Sequence, residues 1–371
     1  MTTETPTPRD SRWPHRFAVL LVCATFPLIW VGGLVTTTES GMAVPDYPST
    51  FGHNMFLYPL STWLGGSWQV FIEHGHRLLG ALSGLLSIAL CIALWRCDER
   101  RWLRWLGVVV LAVVVFQGLL GGFRVIENER LLAMVHGCVG PAFFGLTVAL
   151  AVFTSRYWRR EEREESHSSR TPLVGRLALV VAGLAFMQIL LGAQVRHVPV
   201  TASAAWFQTA IVFHVVIALA LTAHVLWLGA RTLRRGNRRK ELVRPAAWLM
   251  GLMLVQLALG GGAWVLNYGW PEWFQDYAFA QTHLNVARGS GQNLVTTAHV
   301  AVGSLIFAFA VMLGLRAGRR EALSDKPRMT RMYADNTEDK TGDATDRTTS
   351  VVKKSVAAGR LSKRLLAEVR G

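Results

Sequence analysis

The chain has 371 residues, of which 51% are hydrophobic and only 17% charged, with a mean hydropathy of +0.30. That composition is too apolar for a soluble globule of this length. The formal net charge of +15 invites a nucleic-acid partner, but the placement of the cations excludes one.

Apolar blocks of about 20 residues, the length of α-helix that crosses a hydrocarbon core, recur along the sequence. They span 16–37, 70–95, 104–123, 131–154, 173–195, 208–230, 245–267 and 292–315. Each is apolar nearly all round, unlike a surface helix with one polar face. The first ends in LIWVGG (28–33) and gives way to a long loop, 38–69, without Lys or Arg. The second opens with FIEHGHRLLGALSG (71–84), which sets Glu73, His74, His76 and Arg77 at its mouth. The third, fifth and seventh end in related phrases, QGLLGG (117–122), QILLGA (188–193) and QLALGG (256–261). The fourth, sixth and eighth each carry a histidine near the same end: His136, His214 and His299. The unit is therefore a helical hairpin, small-residue helix out and histidine helix back, used four times. Such repetition suggests duplication.

The arginines set the topology. Arg9, Arg12 and Arg16, then Arg96, Arg100, Arg101 and Arg104, then Arg156, Arg159, Arg160 and Arg163, then Arg231, Arg234, Arg235, Arg238, Arg239 and Lys240 all fall on one side. Beyond these, the intervening loops hold Arg124, Arg130, Arg196 and Arg288 alone. By the positive-inside rule both termini are cytoplasmic, and the excess charge faces anionic lipid. The expected architecture is all-α: eight transmembrane helices in two pseudo-symmetric four-helix bundles. It divides into a cytoplasmic segment (1–15), an N-terminal bundle (16–155), a cytoplasmic linker (156–172), a C-terminal bundle (173–316) and a largely disordered basic tail (317–371). Within the tail, 351–371 reads either as a basic amphipathic helix on the inner leaflet or as unstructured chain. The first block is too long for a signal peptide and lacks a cleavage site, so none is expected. Cys23, Cys91, Cys97 and Cys138 lie in or at the inner ends of helices, so no structural disulfide is expected.

His76, His136, His214 and His299 each sit about six residues into their helices, roughly 9 Å deep. Ionisable groups inside a membrane face the bundle interior and mark function. A small residue follows each at i+4: Gly80, Gly140, Ala218 and Gly303. That leaves a shallow turn on the histidine's own face, suited to a flat macrocycle. Two bis-histidine haem sites follow, His76 with His136 and His214 with His299. Zinc fits poorly, because it wants three or four ligands in one place. His224 lies too deep for this layer and reads as structural. His53, His197 and His283 are loop residues, and His74 points elsewhere on its helix. Three residues before each histidine the repeats read Glu73, Ala133, Ile211 and Thr296, so one site alone has an acid beside it. The residues themselves leave open whether Glu73 does chemistry or pairs with Arg77 at the membrane surface.

GGLVTTTESGMAVPDYP (32–48), EHGHR (73–77), the Q-x-x-L-G phrases and His136, His214 and His299 in an eight-helix frame together resemble haem A synthase, over about residues 16–316. The resemblance implies an oxidoreductase that converts a methyl group of haem O to the formyl group of haem A for cytochrome oxidase. It implies Glu73 as the essential carboxylate, His76 and His136 as substrate-haem ligands, and His214 and His299 as ligands of a haem b cofactor. On that reading haem O is expected to enter from the lipid, electrons to leave through haem b, and Glu73 to assist attack of water at the methyl carbon. Arg77, Arg124 and Arg196 are candidate partners of haem propionates, against snorkelling to lipid phosphate. Some members have a cysteine pair in the first outer loop, and SGMAVPDYPSTFGHNMF (40–56) has none. Haem O synthase and cytochrome oxidase assembly factors are implied partners in a bacterial-type plasma membrane, with a homo-oligomer possible. Two other readings explain the histidines: a di-haem b-type electron-transfer protein and a haem carrier.

Overall fold

Eight helices in the computed structural model are long and apolar enough to cross a membrane, one for each apolar block. The structure describes residues 11–160, 172–199, 201–234, 240–274, 276–277, 280 and 289–319. The spanning helices are α1 (Trp13–Thr37), α3 (Trp68–Cys97), α4 (Arg101–Glu127), α5 (Arg130–Thr154), α7 (Pro172–Arg196), α8 (Ala204–Arg234), α9 (Lys240–Tyr268) and α10 (Ser290–Arg319). Two short helices stand between them, α2 (Leu60–Gly65) and α6 (Arg156–Arg160), and Glu272–Phe274 form a 3-10 turn. Among the described residues no strand forms; one isolated bridge joins Thr50 and His53.

Local chemistry sets several helix ends. Pro14 stands in the first turn of α1, where a missing N–H is harmless. The Ser67 hydroxyl accepts from the Val70 N–H at 3.4 Å and starts α3. Asn128 takes a left-handed conformation, φ 49°, and stops α4. Each spanning helix is longer than its apolar block, because polar residues and arginines continue the turns past the apolar limit. This moves two expected boundaries. The linker 156–172 gives α6 at one end and Pro172 of α7 at the other, and α10 runs on to Arg319. Residues 1–10, most of the linker, His283, Arg288 and all of 320–371, including the expected amphipathic stretch, lie outside the described residues.

The described residues fall in one compact unit. In it, α1 packs on α3 and α5, α3 on α4, and α4 on α5; α7 packs on α8, and α8 on α9. One apolar cluster fills the first group around Leu21, Leu90, Leu94, Leu103 and Leu150. Another fills the second around Val181, Val225, Leu228, Leu249 and Leu313. A third joins them through Phe144 and Val148 of α5 and Ala308 of α10. Outward faces remain apolar, as with Leu85 and Ile92 of α3 and Leu219 of α8. Such surfaces suit lipid and not water. α1 also meets α10 directly: the Thr37 and Thr297 hydroxyls are 3.0 Å apart, and a Cβ on Gly33 would lie 2.9 Å from Thr297 Cγ2.

Candidate functional site

The four histidines come together in two pairs. The rings of His76 and His136 have centroids 6.3 Å apart, and those of His214 and His299 are also 6.3 Å apart. An imidazole nitrogen binds a first-row metal at about 2 Å, and the ring centre lies about 1 Å behind it, so two imidazoles on one ion stand about 6 Å apart. Both pairs have that separation. Each Nδ1 is buried without a well-formed hydrogen bond. The backbones of Leu28, Gln117 and Gln256 lie near the His76, His136 and His299 rings respectively. An acceptor on Nδ1 holds the tautomer whose Nε2 lone pair is left for a metal. The residues therefore fit two bis-histidine haem groups. Among the described residues no group of three or more His, Cys, Asp or Glu could hold a metal ion.

The repeated phrases position these rings. The fifth residue of each is the glycine on which a histidine packs. A Cβ at Gly32 would approach His76 Cε1 to 2.8 Å, at Gly121 His136 to 3.2 Å, at Gly192 His214 to 3.3 Å, and at Gly260 His299 to 3.1 Å. The glycines thus serve the ligands before any macrocycle. The i+4 residues, expected to leave a shallow turn, do not all have the same surroundings. Gly140 and Gly303 receive the side-chain amides of Gln117 and Gln256, at 3.3 and 3.2 Å from an added Cβ, whereas Gly80 faces open space. Gln117 Nε2 also donates to the His136 carbonyl at 3.1 Å. The Q of the phrase is a wedge between hairpin partners, a role that the spacing alone did not reveal.

Glu73 is 3% exposed. Its Oε2 accepts from the Val44 N–H at 2.8 Å and its Oε1 from Arg77 Nη2 at 2.9 Å. Arg77 in turn donates to the carbonyls of Val44, Asp46 and Ser49 at 2.8, 2.6 and 2.8 Å. The pair foreseen as one alternative is therefore present, and it straps the first loop across the mouth of α3. The strap does not exhaust the acid, because a carboxylate has about four acceptor positions. Asp46 tightens the same loop. Against the raising effect of its partial desolvation, hydrogen bonds from the Gly52 N–H, the Ser49 hydroxyl and the Phe51 N–H lower its carboxyl to about 2. Tyr47 lies against Gly122 of α4, next to the glycine under His136. The last G of QGLLGG is the sequence signal for that contact. His74, 2% exposed, bonds Thr50 Oγ1 at 3.1 Å and packs on Tyr58 and Trp63, so it anchors the loop. His224 bonds the Ala220 carbonyl of its own helix at 2.7 Å, as a structural residue does.

The three candidate propionate partners differ. Arg77 is committed to the loop. Arg196 of α7 donates to the Gly33 carbonyl of α1 at 2.8 Å, which brings a cation from the second group of helices to the edge of the first site. Arg124 of α4 makes no hydrogen bond among the described residues and lies against Gly41, in the field of Glu73, Arg77 and Arg196. His197, just past the end of α7, is lowered to about 4 by desolvation and by Arg196, Arg124 and Arg130. The patch is cationic and poor in counter-ions, so it suits carboxylate groups. Cys23, Cys91, Cys97 and Cys138 are all free thiols.

Residues 66–287 match the model of a family described as cytochrome oxidase assembly protein (COX15-CtaA). The chain belongs to this family. The match takes in Glu73, His76, Arg77, Arg124, His136, Arg196 and His214, and ends before His299. The chain is similar to the haem A synthase of Symbiobacterium thermophilum, 30% identical over 63% of this chain and 79% of the relative's length. The haem A synthase of Shouchella clausii is 26% identical over 68% of this chain and 87% of its own. That of Geobacillus kaustophilus is 26% identical over 70% and 82% respectively.

Proposed function

We propose that the protein is a haem A synthase, an oxidoreductase that converts a methyl group of haem O to the formyl group of haem A for cytochrome oxidase. The observation that carries this reading is the asymmetry of the two histidine pairs. Both have the spacing of a bis-histidine haem clamp, and Glu73 stands beside one of them. The named relatives agree with it. In this assignment the helices of 16–155 hold substrate haem O between His76 and His136. The helices of 173–316 hold haem b between His214 and His299, and haem b when bound supplies one-electron transfer. Both ends of the chain lie on the arginine-rich, cytoplasmic side of a bacterial-type plasma membrane. Haem O synthase and oxidase assembly factors are the expected partners.

The chain's own residues have distinct tasks. The His76 and His136 rings fix the substrate macrocycle in depth, each against its glycine. Arg124 and Arg196 receive its propionates and so fix its rotation about the clamp axis. Glu73, held by Arg77 and Val44, keeps lone pairs free to orient water at the methyl carbon and to take the proton released as oxygen is added. The strapped loop covers that edge and limits bulk water.

The test is Glu73→Ala in cells that co-express a haem O synthase, with extraction of membrane pigments. Bound haem is expected to persist while formyl haem disappears. Undiminished haem A would overturn the role of Glu73. Wild-type protein that returns haem O unchanged would favour a di-haem electron-transfer protein or a carrier.

A further inference from the structure

At the arginine-rich end, far along the helices from the histidines, α9 and α10 flank an open pocket of about 300 Å³. Lys240, Glu241, Arg244, Trp248, Phe309 and Arg316 line it. Lys240, Glu241 and Arg316 lie about two turns, or 10 Å, along the axis from Trp248 and Phe309, and Arg244 lies one turn from Trp248. The pocket is therefore cationic at its rim and apolar at its floor, with three cations against one carboxylate. Arg316 Nη1 donates to the Glu241 carbonyl at 3.1 Å, and its Nε is buried with no hydrogen-bond partner. Trp248 is 64% exposed, so the apolar floor runs out onto the lipid-facing side of α9.

The repeated phrases supply a comparison within the chain. Aligning Gln117 with Gln256 and His136 with His299 places Glu241 at the position of Trp102, Arg244 at that of Trp105 and Arg316 at that of Phe153. Between α4 and α5 this corner is closed: Trp102 meets Phe153 edge-on at 5.0 Å, and Phe153 meets Trp158 at 4.7 Å. Between α9 and α10 the aromatic plug is replaced by charge and an open pocket.

We propose that this pocket binds one anionic phospholipid of the inner leaflet. Its phosphate lies among Lys240, Arg244 and Arg316, and an acyl chain runs along Phe309 and Trp248. The surplus of positive charge selects an anionic over a zwitterionic headgroup, as in other basic pockets between membrane helices. The apolar floor selects a lipid over free phosphate, which has no use for it.

Native mass spectrometry of the full chain, released from nanodiscs of phosphatidylglycerol or of phosphatidylcholine, tests this. Wild type is expected to retain one phosphatidylglycerol, and Arg244→Gln with Arg316→Gln to weaken retention by tenfold or more, at about fivefold per cation. Arg244→Gln alone touches an exposed side chain and keeps the test valid if the Arg316 variant fails to fold. Arg101→Gln, at the position equivalent to Lys240, is expected to change nothing. Equal retention by wild type and variants overturns the site. Equal retention of phosphatidylcholine overturns the charge selection, and displacement of the lipid by excess inorganic phosphate overturns the lipid assignment.

Discussion

The two histidine pairs differ less in themselves than in what surrounds them. Each has the same 6.3 Å separation and the same glycine under each ring. Around His76 the chain adds a buried acid, an arginine and a strapped loop. At the corresponding position beside His299 stands Thr296, 3.4 Å from the Asn267 amide, and Gln292 donates to Asn267 at 2.7 Å. A charged, covered edge faces a neutral amide network. A common hairpin scaffold thus supplies two equal clamps, and a few residues at one mouth set one of them apart. Reactivity is expected to follow those few residues, and haem retention to follow the clamps.

The strongest way to break the comparison is to remove one clamp at a time. His299→Ala is expected to abolish the low-spin haem signal of its own site while leaving His76 and His136 able to take haem O. His76→Ala is expected to spare the His214–His299 signal and end product formation. Electron paramagnetic resonance with pigment analysis distinguishes the two, and equal loss from both sites in either variant would mean that the pairs are not independent.

Next in size is Arg77→Gln, which leaves Glu73 buried without its cation and frees three loop carbonyls. Breaking a buried pair costs about 3 kcal/mol, to be read as a lower unfolding midpoint in detergent. Glu73→Gln combined with it should restore part of that loss, because no lone buried charge remains.

Smaller and graded effects are expected at the glycines. Gly32→Ala pushes hardest on its ring, at 2.8 Å, and Gly192→Ala least, at 3.3 Å. The haem spectrum of the first site should shift more than that of the second. The reverse order would show that the rings do not rest on these glycines.

The smallest expected effect is on pH dependence. His197 is lowered to about 4, below its usual 6.5, so at pH 5 the folded protein keeps it neutral while the unfolded chain protonates it. Its contribution is complete above pH 6.5 and is lost as the pH falls toward 4. A thermal melt series over that window should flatten in His197→Gln.

The eight spans were legible because unbroken apolar length is a property of the chain alone. Their ends were not, since helices such as α4 and α10 continue through arginines whose stems still lie along apolar surface. The six-residue α2 has too little periodicity to announce itself. The four histidines were legible by depth and helix parity, and the Glu73–Arg77 pair as one of two alternatives. What spacing could not supply was three-dimensional partnership. Arg77 reaching three loop carbonyls, His74 anchoring Thr50, and Gln117 lodging against Gly140 all depend on segments brought together by folding. The small residue at i+4 was legible by its size, but not the Gln117 and Gln256 amides that lie against two of the four, because sequence records a vacancy without saying what enters it.

Neighbouring glycines on α1 divide their duties between distant parts of the polypeptide. Gly32 faces the ring of His76, while Gly33 faces Thr297 and its carbonyl accepts from Arg196. α1 thus meets α3, close to it in the chain, and α10, far from it, through adjacent residues. The packing around α1 is in this sense completed late in synthesis, and a chain halted before α10 would leave Gly33 without its Thr297 contact while Gly32 already backs His76.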